Sequence, residues 1–171
     1  MIRPMEGVTE WRGIPGHPNY AAGSNGVIMT FRGQYGKGPR ALTPHSDATG
    51  YQRVNIAGRA RLTHRLVAAA FSLAGMIDHI DRNRNNPSLV NLRSATPSQN
   101  GANMRTRNKL GIKGVHPSYG GRYRACIRVN GKLRHLGSFS NTQDAQLAYQ
   151  SAASVEFGDF ACFESVRKGT P

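Results

Sequence analysis

Residues 122–129 read Arg-Tyr-Arg-Ala-Cys-Ile-Arg-Val, a strict alternation that suits only an extended strand with one buried face. Tyr123, Ala125, Ile127 and Val129 fall on one side of it, and Arg122, Arg124, Cys126 and Arg128 on the other. Asn130-Gly131 follows at once. That dipeptide is the strongest short hairpin signal, because a type I′ turn needs positive φ at both central residues. Lys132–Leu136 then reads as the returning strand. Further on, Asn141 stands as a helix N-cap with Asp144 at the third helical position. Ala145, Ala148, Tyr149, Ala152 and Ala153 recur at helical spacing, and Gly158 is a natural stop. Residues 111–163 are therefore expected to form a small sheet packed on one helix, with arginines on the sheet's other face.

Charge says what such a face could meet. The 171 residues hold 23 Lys and Arg against 9 Asp and Glu, a formal net charge of +14. Residues 1–104 and 105–171 each carry +7, but from Arg105 to Arg134 there are nine basic residues and no acid. An excess of this size favours a polyanion, whose condensed counterions are released on binding. No apolar run approaches the roughly 18 residues of a membrane span. Met1-Ile2-Arg3-Pro4-Met5-Glu6 lacks the apolar segment of a secretory signal, so an intracellular, cytoplasmic protein is expected. The two cysteines, Cys126 and Cys162, cannot build a disulfide framework or a four-cysteine zinc site.

The C-terminal half resembles a known family. Gly114-Val115, the strand from Tyr123 to Arg128, Leu136-Gly137-Ser138-Phe139 and the alanine helix through Ala153 to Gly158 are similar to the AP2/ERF DNA-binding domain. The resemblance covers about fifty residues and implies a three-stranded antiparallel sheet, packed on one helix, that enters the DNA major groove. It matches Lys113, His116, Arg124, Arg128 and His135 to DNA-contacting positions. Arg122, Lys132 and Arg134 join them as basic residues of the same stretch. Gly120 and Cys126 depart from residues common in plant members, so base preference does not carry over.

The N-terminal half holds the reactive groups. Turn residues alternate with short β-prone runs through Trp11–Ile28, and Gly50–Ile56 reads as a further strand. Gly58 marks a turn, and Thr63–Phe71 has the apolar spacing of a short helix with Thr63 as a possible cap. Then come Asp78-His79 inside an apolar run, Asn91, and Asn100 on a short helix opened by Ser94-Ala95-Thr96-Pro97-Ser98-Gln99. Phosphodiester hydrolysis needs a base to activate water and a cation to stabilise the charge that develops on the phosphate. A histidine and a hard carboxylate oxygen supply that pair of functions.

Taken with His64-Arg65-Leu66-Val67-Ala68 ahead and Asn91-Leu92-Arg93 behind, Asp78-His79-Ile80-Asp81 resembles the HNH endonucleases over residues 10–105. The likeness is greatest to the H-N-N variant found in phage homing enzymes. It implies a ββα-metal module with one divalent cation, Mg²⁺ or Mn²⁺. It matches His79 to the general base, Asp78 and Asn100 to the metal ligands, and Asn91 to a residue that orients the loop and the base. Arg82, Arg84 and Arg93 are candidate phosphate clamps, and Asp81 is expected to serve a turn. His64 is expected to be structural, and Asn103 is an alternative to Asn100.

Together these readings give an α+β chain. Residues 1–103 are expected to be a nuclease module with a β-rich N-terminal extension, 104–112 a basic linker, and 113–171 an AP2-like reader. Arg105, Arg107 and Lys109 of the linker are placed to follow phosphates. The function expected is a homing-type endonuclease of phage or bacterial origin, acting on double-stranded DNA as a monomer, with no small-molecule substrate. The alternative is a non-catalytic DNA-binding regulator. Two further alternatives are an RNA-binding factor and a zinc-stabilised structural module, and the second lacks the ligands.

Overall fold

The computed structural model describes residues 9–31 and 38–164, so the opening segment read above for a signal lies outside the described residues. By its internal contacts the chain divides into two compact units, within Met1–Ser94 and within Ala95–Pro171. The described residues form several small antiparallel sheets, three α-helices and short 3-10 turns.

In the first unit, β1 (Trp11–Ile14), β2 (His17–Gly23), β3 (Ile28–Thr30) and β4 (Arg40–Ala41) form a four-stranded antiparallel sheet in chain order. A second sheet holds β5 (His45–Ser46), β6 (Gln52–Ile56) and β7 (Arg59–Leu62). The β6–β7 turn is Ala57-Gly58, both at positive φ, as the glycine there suggested. Helix α1 (Thr63–Ala70) follows directly. It starts one residue earlier than a Thr63 cap requires: extended Leu62 is the N-cap and makes no side-chain cap bond. Thr63 is already helical and 1% exposed, turned into the core rather than back over the helix start. Leu66, Val67, Ala70 and Phe71 of α1 pack against Ile14, Ile28, Val54, Ile56 and Ile77 in one cluster. Full burial of an aliphatic side chain such as Val67 or Ile28 contributes roughly 1.5–3 kcal/mol. On this base sits a two-stranded sheet of β8 (Met76–His79) and β9 (Leu92–Ala95), with Asp78-His79 at the C-terminal end of β8.

The second unit begins with α2 (Pro97–Asn103), capped by a reciprocal Thr96/Gln99 box. Three antiparallel strands follow: β10 (Val115–Pro117), β11 (Tyr123–Val129) and β12 (Lys132–Phe139). The turn is Asn130-Gly131, with φ of 48° and 80°. Helix α3 (Thr142–Phe157) lies on this sheet, its N-cap Asn141 accepting from the Asp144 amide and Gly158 closing it. Ala145, Tyr149, Ala153 and Phe157 are its buried stripe. Gly114 has φ of 72°, and a Cβ there would overlap the Tyr149 ring.

Unit boundaries differ from those read in the sequence. Ala102 of α2 packs with Ile127, Tyr149 and Phe157, so α2 belongs with the second unit rather than with a module ending at 103. Residues 104–112 are folded into that unit as well. Leu110 and Ile112 pack on Val115, Ala125 and Ala145, and the Asn108 side chain donates to the Ile112 and Val115 carbonyls at 2.5 and 2.9 Å. Apolar residues at 110 and 112 give this stretch a core to join, which a polar linker lacks. Among the described residues, no helix is long and apolar enough to cross a membrane.

Candidate active site

Asp78 and His79 are 5% exposed each, at the end of a short strand from which the chain enters a loop. The loop is rich in Asn and Asp, residues whose side chains imitate backbone turns. Asp81 is its hub. Its carboxylate accepts from the Asn83 amide at 2.7 Å, from Asn86 Nδ2 at 2.8 Å and from Asn91 Nδ2 at 2.9 Å. Asn91 returns the bond, its Oδ1 accepting from the Asp81 amide at 2.9 Å, and its Nδ2 also donates to the Asn86 carbonyl. The Ile80 amide donates to the Asn91 carbonyl at 2.9 Å. Asn91 thus ties together both ends of the loop that leaves His79. Arg82 has φ of 63°, inside the turn where its amide donates to the His79 carbonyl.

The charged groups are arranged around this loop. Asp78 Oδ2 accepts from Arg93 Nε at 2.9 Å, with Arg93's side chain only 17% exposed. Arg93 is thereby committed to the carboxylate, whereas Arg84 is exposed. Arg84 donates through Nη1 to the Thr49 carbonyl at 3.0 Å, and its guanidinium lies 4.8 Å from the Tyr51 ring centroid. Burial holds the His79 imidazole below its ordinary value, with Asp81 and Asp78 pulling the other way and Arg84 adding to the lowering. For Asp81, burial acts to raise the carboxyl, but the bonds from Asn86, Asn83 and Asn91 outweigh it and leave it below the usual carboxylate range. His79 is therefore a neutral ring near pH 7, able to accept a proton, beside a carboxylate held in place by an arginine.

Sequence reasoning left two neighbours out of the catalytic set. Tyr51 and His64 both face His79, at ring-centroid distances of 5.9 and 4.9 Å. His64 is 4% exposed, and burial, with His79 and Arg65 nearby, lowers it to about 4. Nothing in the spacing of Tyr51, 28 residues before His79, announces this meeting. The one available signal was a histidine at position 64 on an otherwise apolar helix face. Asn100 lies half-buried on α2 of the second unit, and Asn103 is buried on the same helix. Among the described residues, no group of three or more His, Cys, Asp or Glu forms a metal cluster.

The basic residues of the second unit take different positions. Cross-strand pairing puts His116 beside Arg124, Cys126 beside His135 and Arg128 beside Leu133. Residues directly opposite share a face, so His116, Arg124, Arg128 and His135 stand on the face away from the core, and all are exposed. Arg134 does not. Its partner across the sheet is the buried Ile127, and its guanidinium meets Glu156 of α3 at 2.7 Å. Lys113 is also drawn elsewhere: its Nζ donates to the carbonyls of Gly101, Ala102 and Met104, closing the C-terminus of α2. Arg122 reaches the Ser138 carbonyl at 2.7 Å, and Arg105 pairs with Glu164 at 3.2 Å. Arg107, Lys109 and Lys132 are exposed.

A match with a curated protein bears on the class of molecule. The chain is 35% identical over 86 residues to an uncharacterized HNH endonuclease of Acanthamoeba polyphaga mimivirus. The matched stretch covers 50% of this chain and 44% of that protein, so the chain spans less than half of its relative's length. No family model and no solved structure matches the chain.

Proposed function

We propose that the chain is a metal-dependent DNA endonuclease of HNH type, with His79 as general base. The observation that carries this reading is the buried, neutral His79 imidazole directly after the Asp78 carboxylate, on a loop that Asn91 and Asp81 hold rigid. The partial likeness to an HNH endonuclease supports it.

In the proposed reaction His79 takes the proton of a water attacking the phosphodiester, and Asn91 keeps the loop that presents His79 from shifting. Arg84, exposed beside the site, faces the negative charge of the strand. The donor chemistry at Asp78 fits a hard divalent ion: its carboxylate oxygen suits Mg²⁺ or Mn²⁺, with water completing the shell. When bound there, such an ion would stabilise the charge on the phosphate and the leaving oxygen. Asp78 is oriented for this by Arg93, which holds it in one geometry. With one such site per chain, a monomer is expected to nick one strand at a time, in the manner of a homing enzyme. The exposed face of β10–β12, with His116, Arg124, Arg128 and His135, is proposed as an AP2-like duplex reader that tethers the nuclease unit to its target.

A second reading has its own observation. The Asp78–Arg93 ion pair already satisfies one carboxylate oxygen, which favours an inert nuclease unit in a DNA-binding regulator. Incubation of supercoiled DNA with the full chain and Mg²⁺ or Mn²⁺ separates the two. Nicking that is lost in His79→Ala supports the endonuclease. Binding without any nicking would leave the regulator.

A further inference from the structure

The ring contacts around His79 extend the nuclease reading, on which this inference rests. Tyr51, His64 and His79 form a closed triangle of rings, with centroids 5.0 Å apart for Tyr51–His64, 5.9 Å for Tyr51–His79 and 4.9 Å for His64–His79. The two histidines meet edge to face at 67°. Such contacts fix the plane of an imidazole without using its nitrogens.

Packing alone is a poor account of the histidine at 64. Its Nδ1 is buried with no hydrogen-bond partner, a loss that an apolar side chain of similar size would avoid. Fold stability would be better served by phenylalanine or leucine. The ring's neighbour, His79, is the group that gives it a purpose.

Tyr51 has a second task. It sits in a turn built on Asp47, whose carboxylate accepts from the Tyr51 amide at 3.1 Å and the Thr49 amide at 2.9 Å, and from Arg53 Nε at 2.7 Å. Bonds from Thr49 and Arg53 hold that carboxyl well below the usual carboxylate range. The same turn anchors Arg84 twice, through the Thr49 carbonyl and across the Tyr51 ring.

We infer that Tyr51 and His64 are positioning residues for the nuclease reaction: their rings hold the His79 imidazole, and Tyr51 holds the Arg84 guanidinium beside it. General base and phosphate-facing cation thus share one support, the turn at 47–51. A base displaced by about an ångström loses on the order of 100-fold in rate, so the support acts on the chemical step rather than on DNA affinity.

The experiment uses the full chain, saturating DNA and Mg²⁺ or Mn²⁺, with kcat and KM read separately. Tyr51→Leu is expected to lower kcat about 100-fold while KM for DNA changes little. Tyr51→Phe, which keeps the ring, is expected to recover most of the loss, and so is His64→Phe relative to His64→Ala. Combining Tyr51→Leu with Arg84→Ala is expected to cost less than the product of the single losses, because one acts partly through the other. In separate samples of the same proteins, without DNA or metal, the His79 ring-proton resonance is expected to move in Tyr51→Leu and to return in Tyr51→Phe. This second readout also covers a variant whose stability is reduced. A folded Tyr51→Leu chain with wild-type kcat, or with an unmoved His79 resonance, overturns the inference and leaves the nuclease reading standing. A wild-type chain that cleaves no DNA with either metal overturns the nuclease reading, and the inference falls with it.

Discussion

The two units hold their polar side chains in opposite ways. Around Asp81, three side chains and two backbone amides are tied in bonds of 2.7 to 2.9 Å, and Asp78 and His79 are buried at the end of a strand. On the outer face of β10–β12 the cationic side chains are exposed, and His135 Nδ1 lies 3.7 Å from the Cys126 sulfur. A group that moves a proton must be held within fractions of an ångström, and such rigidity comes from satisfied hydrogen bonds. A group that meets a phosphate must only be near, and an exposed arginine can adjust. Density of bonding around charge therefore separates a site suited to chemistry from a face suited to binding.

Removal of the base is the sharpest way to break that contrast. His79→Ala is expected to lower cleavage about 1,000-fold, within the range for loss of a general base, while duplex affinity stays near wild type. Strand-nicking rates and a filter-binding or fluorescence titration on the same preparation check both halves. Equal losses of cleavage and affinity would mean that His79 belongs to the binding surface.

Next in size is the loop network. Asn91→Ala deletes a buried side chain together with its bonds to Asp81 and Asn86, at a cost of about 1–3 kcal/mol. Urea unfolding measures it. Cleavage is expected to fall further than unfolding accounts for at low denaturant, because the loop leaving His79 loses its tie. Gly114→Ala offers the matching test in the second unit. Its Cβ would overlap the Tyr149 ring and its φ is positive, so a loss of about 2–3 kcal/mol is expected, with the chemical step untouched.

How much of this could be read from the sequence differs between the units for the same reason. Alternation in 122–129, Asn130-Gly131 and the alanine spacing of α3 are local patterns, and local patterns specify their own geometry. Asp78, His79 and Asn91 were marked by chemistry and spacing. Tyr51 was not legible, because ring contacts across 28 residues depend on how two sheets and α1 pack. Nor were the fates of Lys113 and Arg134: a charge count treats every lysine and arginine alike, whereas one closes α2 and the other pairs with Glu156. The fold of 104–112 was missed because its polar composition hid Leu110 and Ile112, whose burial needs a partner core.

Acid sharpens the comparison further. His64 is buried, and its folded value, about 4, lies below its ordinary 6.5. The unfolded chain therefore takes up a proton that the folded chain refuses. The stability this provides is fully present above pH 6.5 and is lost as pH falls through about 4, a total of about 3 kcal/mol. His79 is lowered by burial too and adds loss in the same direction. Asp81 contributes a loss only below its ordinary 3.8. Urea midpoints from pH 7.5 to 4.5 are expected to fall in the wild type and to fall less in His64→Phe. Equal slopes in the two proteins would show that His64 is not the group titrating.

The smallest effects are expected on the binding face, and they distinguish exposed cations from committed ones. Arg124→Ala and Arg128→Ala each remove a charge from the face away from the core, and each is expected to weaken duplex binding by about 1 kcal/mol and to reduce the salt slope by about one. Arg134→Ala removes the same formal charge, but from a side chain paired with Glu156 on the core-facing side. Its effect on the salt slope is expected to be a fraction of theirs, with a loss in unfolding stability below about 1 kcal/mol instead. A titration of affinity against salt from 50 to 200 mM, roughly the range over which phosphate contacts show most clearly, decides the matter. If all three variants lower the slope equally, net charge rather than position governs binding. The face of β10–β12 would then lose its claim to be a reader.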